Sequence, residues 1–390
     1  MTKHKKNKQA ISLPLEETAI SQAAYMCAIQ NLDQVGNTWA RAIVDQFDNP
    51  KEAWETLCDP KRISKIEGLT ATLRASIKCS LLADEPKAIQ EAMDDCHIKG
   101  IAYTDGAFPS QLHDIFNPPV VLFYRGNLDL LQESRMIAMV GARKCSAYGR
   151  NVAHHLGKEL GRRGIVVISG GARGIDRHCH EGALQGHGAT IAVMGCGLDV
   201  TYPRENGMLF ANIVEAGGLL LSEYPPHVQP KAHHFPTRNR IIEGLARAVV
   251  VVEAKSSSGS LITADMAIND GRDVFAVPGN ILDRQAAGNH WLLRQVARLV
   301  TCVEDILDQY NWNESGNDSH LSKPVISFTL DENAILDHLR TDKARQVDDI
   351  IELTGLSVTN VTSALLSLEM KDMIENIPSQ GYILTGIRSD

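Results

Sequence analysis

Four short stretches of this 390-residue sequence combine glycine with arginine or clustered hydroxyls, the chemistry suited to gripping an anion. In VGARKCSAYG at 140–149, Gly141 lets backbone approach a ligand closely and Arg143 can clamp a phosphate through two parallel N–H bonds. Ser146 there opens a helix, whose free N–H groups carry the positive end of the dipole. SGGARGID at 169–176 repeats the logic with Gly170, Arg173, Gly174 and Asp176. FPTRNR at 235–240 sets Arg238, Asn239 and Arg240 beside Phe235, with Lys231 just upstream, offering both clamps and a ring on which a base can stack. In EAKSSSGSLIT at 253–263, Ser258, Gly259 and Ser260 form a nest of N–H and O–H groups at a helix start. Each loop alone could be a glycine turn that serves packing. Four on one edge of one sheet call for a run of phosphates.

Several chemistries are excluded on the same residues. No stretch reads G-x-G-x-x-G with an acidic residue about 20 positions on, and no Gly-Lys-Ser/Thr follows a glycine loop, so neither a nicotinamide nor a Walker-type nucleotide site is expected. No Ser/His/Asp or Cys/His arrangement can be read from spacing alone. His178, Cys179 and His180 are neighbours on a helix and point in different directions, so a shared ion would need His154 or His155 to join from elsewhere, and no metal is expected in the chain. The eight cysteines contain no C-x-x-C pair and read as reduced, packed thiols; Cys196 in GCGLD is one of these.

The elements that must position these loops are legible from hydrophobic runs. MIAMVG, GIVVISGG, ATIAVMGCG, GGLLLSE, AVVVVEA and DVFAVPG alternate with helical stretches, which predicts an α/β domain: a Rossmann-like, doubly wound, mainly parallel sheet buried on both faces. Ligands of such sheets bind beyond the carboxyl ends of the strands, where these glycines fall. The expected organisation is a basic tail at 1–12, a helical SAM-like or helix-hairpin-helix domain at 13–85, the Rossmann-like domain at 86–310, a linker at 311–324 and a winged-helix domain at 325–390. The hairpin around Leu32–Trp39 resembles a phosphate-presenting turn, but a plain scaffold role is the favoured reading. With no apolar run of signal or membrane length, a cytoplasmic protein with no membrane partner is expected. Net charge is −8, yet residues 135–300 carry 19 Lys+Arg against 13 Asp+Glu, and the flanks 20 against 34. Positive charge is concentrated where the loops are.

The ordered motifs VGARKCSAYG, SGGARGIDRHCHEGAL, GATIAVMGCGLDVTYPREN, GGLLLSEYP, FPTRNRIIEGLA, VVEAKSSSGSLITADMAI and GRDVFAVPGNI resemble the DprA/Smf family over nearly all of residues 135–300. That resemblance implies a dimerising Rossmann-like protein that binds and protects single-stranded DNA and recruits the RecA recombinase in natural transformation, a binder and not an enzyme, with no cofactor. Contact with DNA then falls on the residues named in the four loops. Ala142 and Gly171 depart from the family pattern without removing an arginine. Between 325 and 390 the count is five Lys+Arg against eleven Asp+Glu, so the winged helix is expected to meet protein, not DNA. Two rival readings stand beside this one. The first is a LOG-type nucleoside-monophosphate hydrolase, although Asp265 in SSSGSLITAD is one methylene short of, and displaced from, the glutamate of that family's P-G-G-x-G-T-x-x-E loop. The second is an adaptor that senses a small nucleotide.

Overall fold

The computed structural model describes residues 19–312, 328–341, 343–371, 373–377 and 380–384; the expected tail at 1–12 and the linker from 313 onward lie outside these. Nine strands form one sheet: β1 (Lys99–Ala102), β2 (Val121–Gly126), β3 (Met136–Val140), β4 (Val166–Ser169), β5 (Thr190–Met194), β6 (Leu219–Ser222), β7 (Ala248–Val251), β8 (Asp273–Ala276) and β9 (Arg298–Leu299). Their order is β1-β2-β6-β5-β4-β3-β7-β8-β9. Every pair from β6 through β9 in that order is parallel, while β1 and β2 add an antiparallel edge. The mainly parallel Rossmann-like sheet expected from the hydrophobic runs is present. Alternation along β3 explains why those runs are continuous: Ala138 and Val140 join one buried cluster, Ile137 and Met139 the other, so both faces are apolar.

Helices cover both faces. On one lie α6 (Ala147–Arg162) and α7 (Ile175–Gln185), whose Ala153, Leu156, Cys179 and Ala183 share a core with β3 and β7. The other face carries α9 (His234–Leu245) and α10 (Gly259–Asn269), with α8 (Gly207–Glu215) beside β6. Near β8, α11 (Ala287–Gln295) and α12 (Glu304–Tyr310) complete the wrap.

Five helices precede the sheet: α1 (Gln22–Asn31), α2 (Gly36–Val44), α3 (Pro50–Cys58), α4 (Ala71–Ser80) and α5 (Glu85–Asp95). One apolar cluster runs without a break from Ala23 and Ile29 of α1 through Phe123 of β2 to Val249 of β7. The N-terminal helices therefore share the core of the sheet, and one core has members on both sides of the boundary expected near residue 85. At the hairpin before α2, Gln34 and Gly36 adopt positive φ of 63° and 54°. Asn37 in its first turn donates Nδ2 to Glu223 Oε1 at 2.9 Å, tying the hairpin to the end of β6 in the scaffold role favoured from sequence.

At the C-terminus α13 (Leu330–Leu336), α14 (Val347–Thr354) and α15 (Val358–Met370) precede the hairpin β10 (Ile374–Ile377) and β11 (Gly381–Leu384), as the winged-helix pattern predicts. Its core is separate, built on Ile335, Ile350, Val361 and Leu365. Asn151 of α6 donates to Leu384 O at 3.1 Å, and a cleft of about 860 Å³ separates the units between Tyr148 and Pro278 on one side and Leu339 and Met373 on the other.

One carboxylate organises this small unit. Glu332 completes a capping box with Thr329, accepts from Ser367 at 2.7 Å and from Lys371 Nζ at 2.7 Å, and is only 2% exposed. Burial raises its pKa, but the bonds from Lys371, Ser367 and the Thr329 amide outweigh burial and bring it down to about 2. A carboxyl depressed in the folded state adds stability that is full above its unfolded pKa of about 4.3 and is lost as pH falls toward the folded value. The C-terminal unit is accordingly expected to lose melting temperature between about pH 4.5 and pH 2. Glu332→Gln should lower the melting temperature at neutral pH and flatten that slope; a variant with the wild-type pH profile would contradict the assignment.

Candidate nucleic-acid interface

The sheet order places the crevice. β3 lies between β4 and β7, and the chain runs outward from β3 through β4, β5 and β6 before returning to the other side at β7, so the loops after β3 and β7 part company there. Beyond those strand ends opens a groove of about 650 Å³. Its walls come from the β3 loop, the β7 loop with the start of α10, and the start of α9.

Of the residues singled out in sequence, Gly141, Arg143, Asp176, Phe235, Arg238, Asn239, Ser258, Gly259 and Ser260 line this groove together. Arg143 is exposed, and its guanidinium carbon stands 5.0 Å from the centroid of Phe235. Tyr202 continues the aromatic ledge, its ring centroid 5.4 Å from that of Phe235 at a tilt of 38°, and it is 41% exposed. Cation and rings thus form one surface, on which a base can stack while the guanidinium meets a phosphate. Lys144 and Lys255 are exposed on the same lining. Among the described residues, none of these three cations has a carboxylate within ion-pair distance. The groove therefore presents uncompensated positive charge.

Arg238 plays a different part. It is 3% exposed, donates Nη1 to Gly170 O at 2.8 Å, and faces the buried carboxyl of Asp176. Burial pulls its guanidinium down to about 10, with Asp176 opposing, so it stays charged near neutrality. Burial in turn raises Asp176, against the pull of Arg238. The pair forms the floor of the groove and sets the backbone of the second loop. Gly170 is required for this docking, since a Cβ there would lie 2.5 Å from Arg238 Nη2. Gly174, at φ +74°, would carry a Cβ 2.3 Å from Ala142 O, so it packs the second loop against the first.

The three helix starts are not equivalent. Ser146 caps α6, accepting from Gly149 N at 3.0 Å, but its own amide donates to Glu253 Oε1 at 2.9 Å and its hydroxyl donates to Glu253 Oε2. A buried carboxylate already fills the anion position of α6, so the phosphate cradle expected there is taken by the protein itself. The α7 start is likewise occupied by Asp176, which accepts from Ala172 N at 3.4 Å. Of these three, the start of α10 opens on the groove with its anion position unfilled, through Ser258, Gly259 and Ser260 and with no acidic residue in its first turn.

Six expected contacts fall outside the lining: Ser146, Gly170, Arg173, Gly174, Lys231 and Arg240. Arg240, expected to clamp phosphate, is 4% exposed and fully engaged: Nη2 on Glu223 Oε1 at 2.6 Å, Nε on Asn117 O at 2.8 Å and Nη1 on Thr237 O at 3.0 Å. The structure makes it an internal strut between α9 and β6. Arg173 is exposed but paired with Glu205, which neutralises it locally. Lys231 is exposed between Pro230 and Ala232, which do line the groove. Lys144, Tyr202, Lys255, Thr263 and Gln285 line it without having been singled out. Lys144 and Lys255 sit inside the first and fourth loops, so their charge was a usable signal. Tyr202 lies in a loop with no glycine-arginine pattern, and only tertiary structure brings it to Phe235. His178, Cys179 and His180 go three ways: His178 to Glu181 at 3.0 Å, Cys179 into the core, His180 to Thr190 at 2.7 Å.

Comparison with known proteins bears directly on this groove. Residues 99–311 match the family model for DNA recombination-mediator protein A, and residues 323–380 match the DprA winged helix domain. The chain belongs to this DprA/Smf family. It is 45% identical over 227 residues to the DNA processing protein DprA of Streptococcus pneumoniae, covering 56% of this chain and 79% of that one. The X-ray structure of the S. pneumoniae protein superposes with a TM-score of 0.63 at 37% identity, covering 73% of this chain and 97% of that one. A structure of DNA processing protein A from Helicobacter pylori, described for its single-stranded DNA binding mode, has a TM-score of 0.51 at 27% identity and covers 56% of this chain and 98% of that one. The family match spans all four loops. No single described helix is long and apolar enough to cross a membrane.

Proposed function

We propose that this protein holds single-stranded DNA along the groove, protects it and delivers it to the RecA recombinase in the cytoplasm during natural transformation, without catalysing a reaction. The observation that carries this reading is the lining itself: Arg143, Lys144 and Lys255, without carboxylate partners among the described residues, beside the open ledge of Phe235 and Tyr202. Such a surface grips successive phosphates and stacks bases without reading sequence. The H. pylori relative, described for its single-stranded DNA binding mode, and the recombination-mediator family support it. The hydrolase reading lacks its carboxylate: Asp265 is exposed on α10 away from the groove, and the acid in the lining, Asp176, is buried against Arg238. Titration with oligonucleotides of increasing length tests the proposal against a nucleotide sensor. Affinity should climb with length; saturation by a mononucleotide at the same affinity would overturn it.

The implied homodimer has a suitable surface at the open edge of the sheet. Among the described residues β9 leaves its outer side unpaired, and Leu299, Val296 and Trp291 there are 53%, 57% and 44% exposed. An unpaired strand edge beside apolar side chains favours self-association. Leu299→Arg should leave the fold intact and weaken the dimer at least about tenfold, since a charge placed in an apolar contact costs more than 1.4 kcal/mol. Sedimentation at several concentrations reads this, and an unchanged dimer would move the interface elsewhere. Neither α14 nor α15 contains Lys or Arg, and Val358, Leu366 and Met370 are exposed on α15, which supports a protein partner for the winged helix.

A further inference from the structure

We propose that Cys96, Asp199 and His227 form a zinc-type metal site, with donors from three separate segments. Cys96 caps the end of α5, Asp199 lies in the loop after β5, and His227 lies in the loop between β6 and α9. Their donor atoms all lie within 4.8 Å of one another. A tetrahedral zinc site separates its donors by about 3.2–3.8 Å, so side-chain shifts of about 1 Å bring the three into coordinating positions.

The scaffold around the three is already braced. The Asp199 carboxylate accepts the His227 amide at 2.8 Å and lies 2.9 Å from Nδ1 of the same ring. His227 is held at φ +68°, a left-handed conformation that a non-glycine residue adopts only when its surroundings enforce it. Gly197 N donates to Val228 O at 2.9 Å across the same loops, and Arg125 Nη2 fixes the Cys96 carbonyl at 2.7 Å. Cys96 and Asp199 are half-buried while the His227 side chain is 67% exposed, which gives an ion an entry path and leaves the fourth position to water.

The donor set selects the ion. One thiolate, one imidazole and one carboxylate suit Zn²⁺ and are a poor match for Mg²⁺ or Ca²⁺, which take oxygen shells. Because the ligands come from distant parts of the chain, no sequence spacing announces them, which is why no metal is expected from the sequence. The consequence is local: Asp199 is three residues before Tyr202, and His227 three before Pro230, both on the groove lining. A bound ion would clip together the two loops that carry one wall of the groove. Metal binding stands independently of the DNA reading; only this consequence rests on it.

The test uses the full chain, reduced and stripped with a chelator, and titrated with Co²⁺ alone. One equivalent should produce d–d absorption together with a thiolate-to-cobalt charge-transfer band, and Zn²⁺ should bleach both. Cys96→Ser should abolish the charge-transfer band, whereas Cys58→Ser and Cys79→Ser should retain it. His227→Gln, at an exposed position that does not threaten the fold, should weaken Co²⁺ binding by about tenfold or more. Co²⁺ uptake without a thiolate band, a band that survives Cys96→Ser, or unaltered affinity in His227→Gln would overturn the site.

Discussion

Replacing Arg143 with alanine is expected to weaken single-strand binding by about tenfold to a hundredfold near physiological salt. A charge-assisted hydrogen bond to an anion contributes about 1.5–3 kcal/mol, and each 1.4 kcal/mol is tenfold in affinity. Arg143 is suited to make such a bond. It stands on the face of Phe235 at 5.0 Å, and no carboxylate among the described residues competes for it. The dependence on salt should change with the affinity: removing one phosphate contact lowers the log–log slope by about 0.7 for a single strand. Base sequence should matter little, because phosphate contacts position a strand without specifying it. Combining Arg143→Ala with Lys144→Ala and Lys255→Ala should take away about two units of slope in total. Fluorescence anisotropy at several salt concentrations reads both quantities. Affinity retained in the triple variant would remove the groove from the account.

Arg240→Ala should act on a different quantity. Its guanidinium pairs with Glu223, which is itself 6% exposed and shared with Asn37, so truncation strands a carboxylate inside the protein. Breaking a buried pair from one side costs about 3–5 kcal/mol. The expected result is a large fall in thermal stability, with the salt slope of DNA binding kept in whatever fraction remains folded. Glu223→Gln with Arg240→Met, which removes the charge on both sides, should recover part of the loss. A stable Arg240→Ala protein with a flattened salt slope would instead return Arg240 to the DNA surface.

The contrast between these arginines shows where sequence reading reached its limit. The parallel sheet was legible because runs such as AVVV in β7 and TIAV in β5 are buried on both faces and leave no other economical arrangement. The position of the site was legible too, since glycine loops at strand ends fall at the crevice of any such sheet. Arg143, Arg238 and Arg240 are one residue type in two similar motifs, yet one is exposed, one forms the groove floor and one is an internal strut. Which face of α9 meets the core decides this, and periodicity through HFPTRNRIIEGL is weak because both faces of that helix are partly buried. Glu253 was missed as the partner of Ser146 for a related reason: the residues are 107 positions apart, and only the parallel pairing of β3 with β7 brings them together. The shared core of α1 and the sheet was hidden likewise, because composition marks a helical segment but not the surface on which it packs.

The most direct test of the central claim is the salt dependence of binding between the intact protein and a single-stranded oligonucleotide, measured beside a duplex of equal length. Three cations without carboxylate partners among the described residues predict a log–log slope of about −2 or steeper for the single strand, with the duplex bound more weakly because paired bases cannot reach the ledge of Phe235 and Tyr202. A flat salt profile, or equal affinity for duplex and single strand, would contradict it.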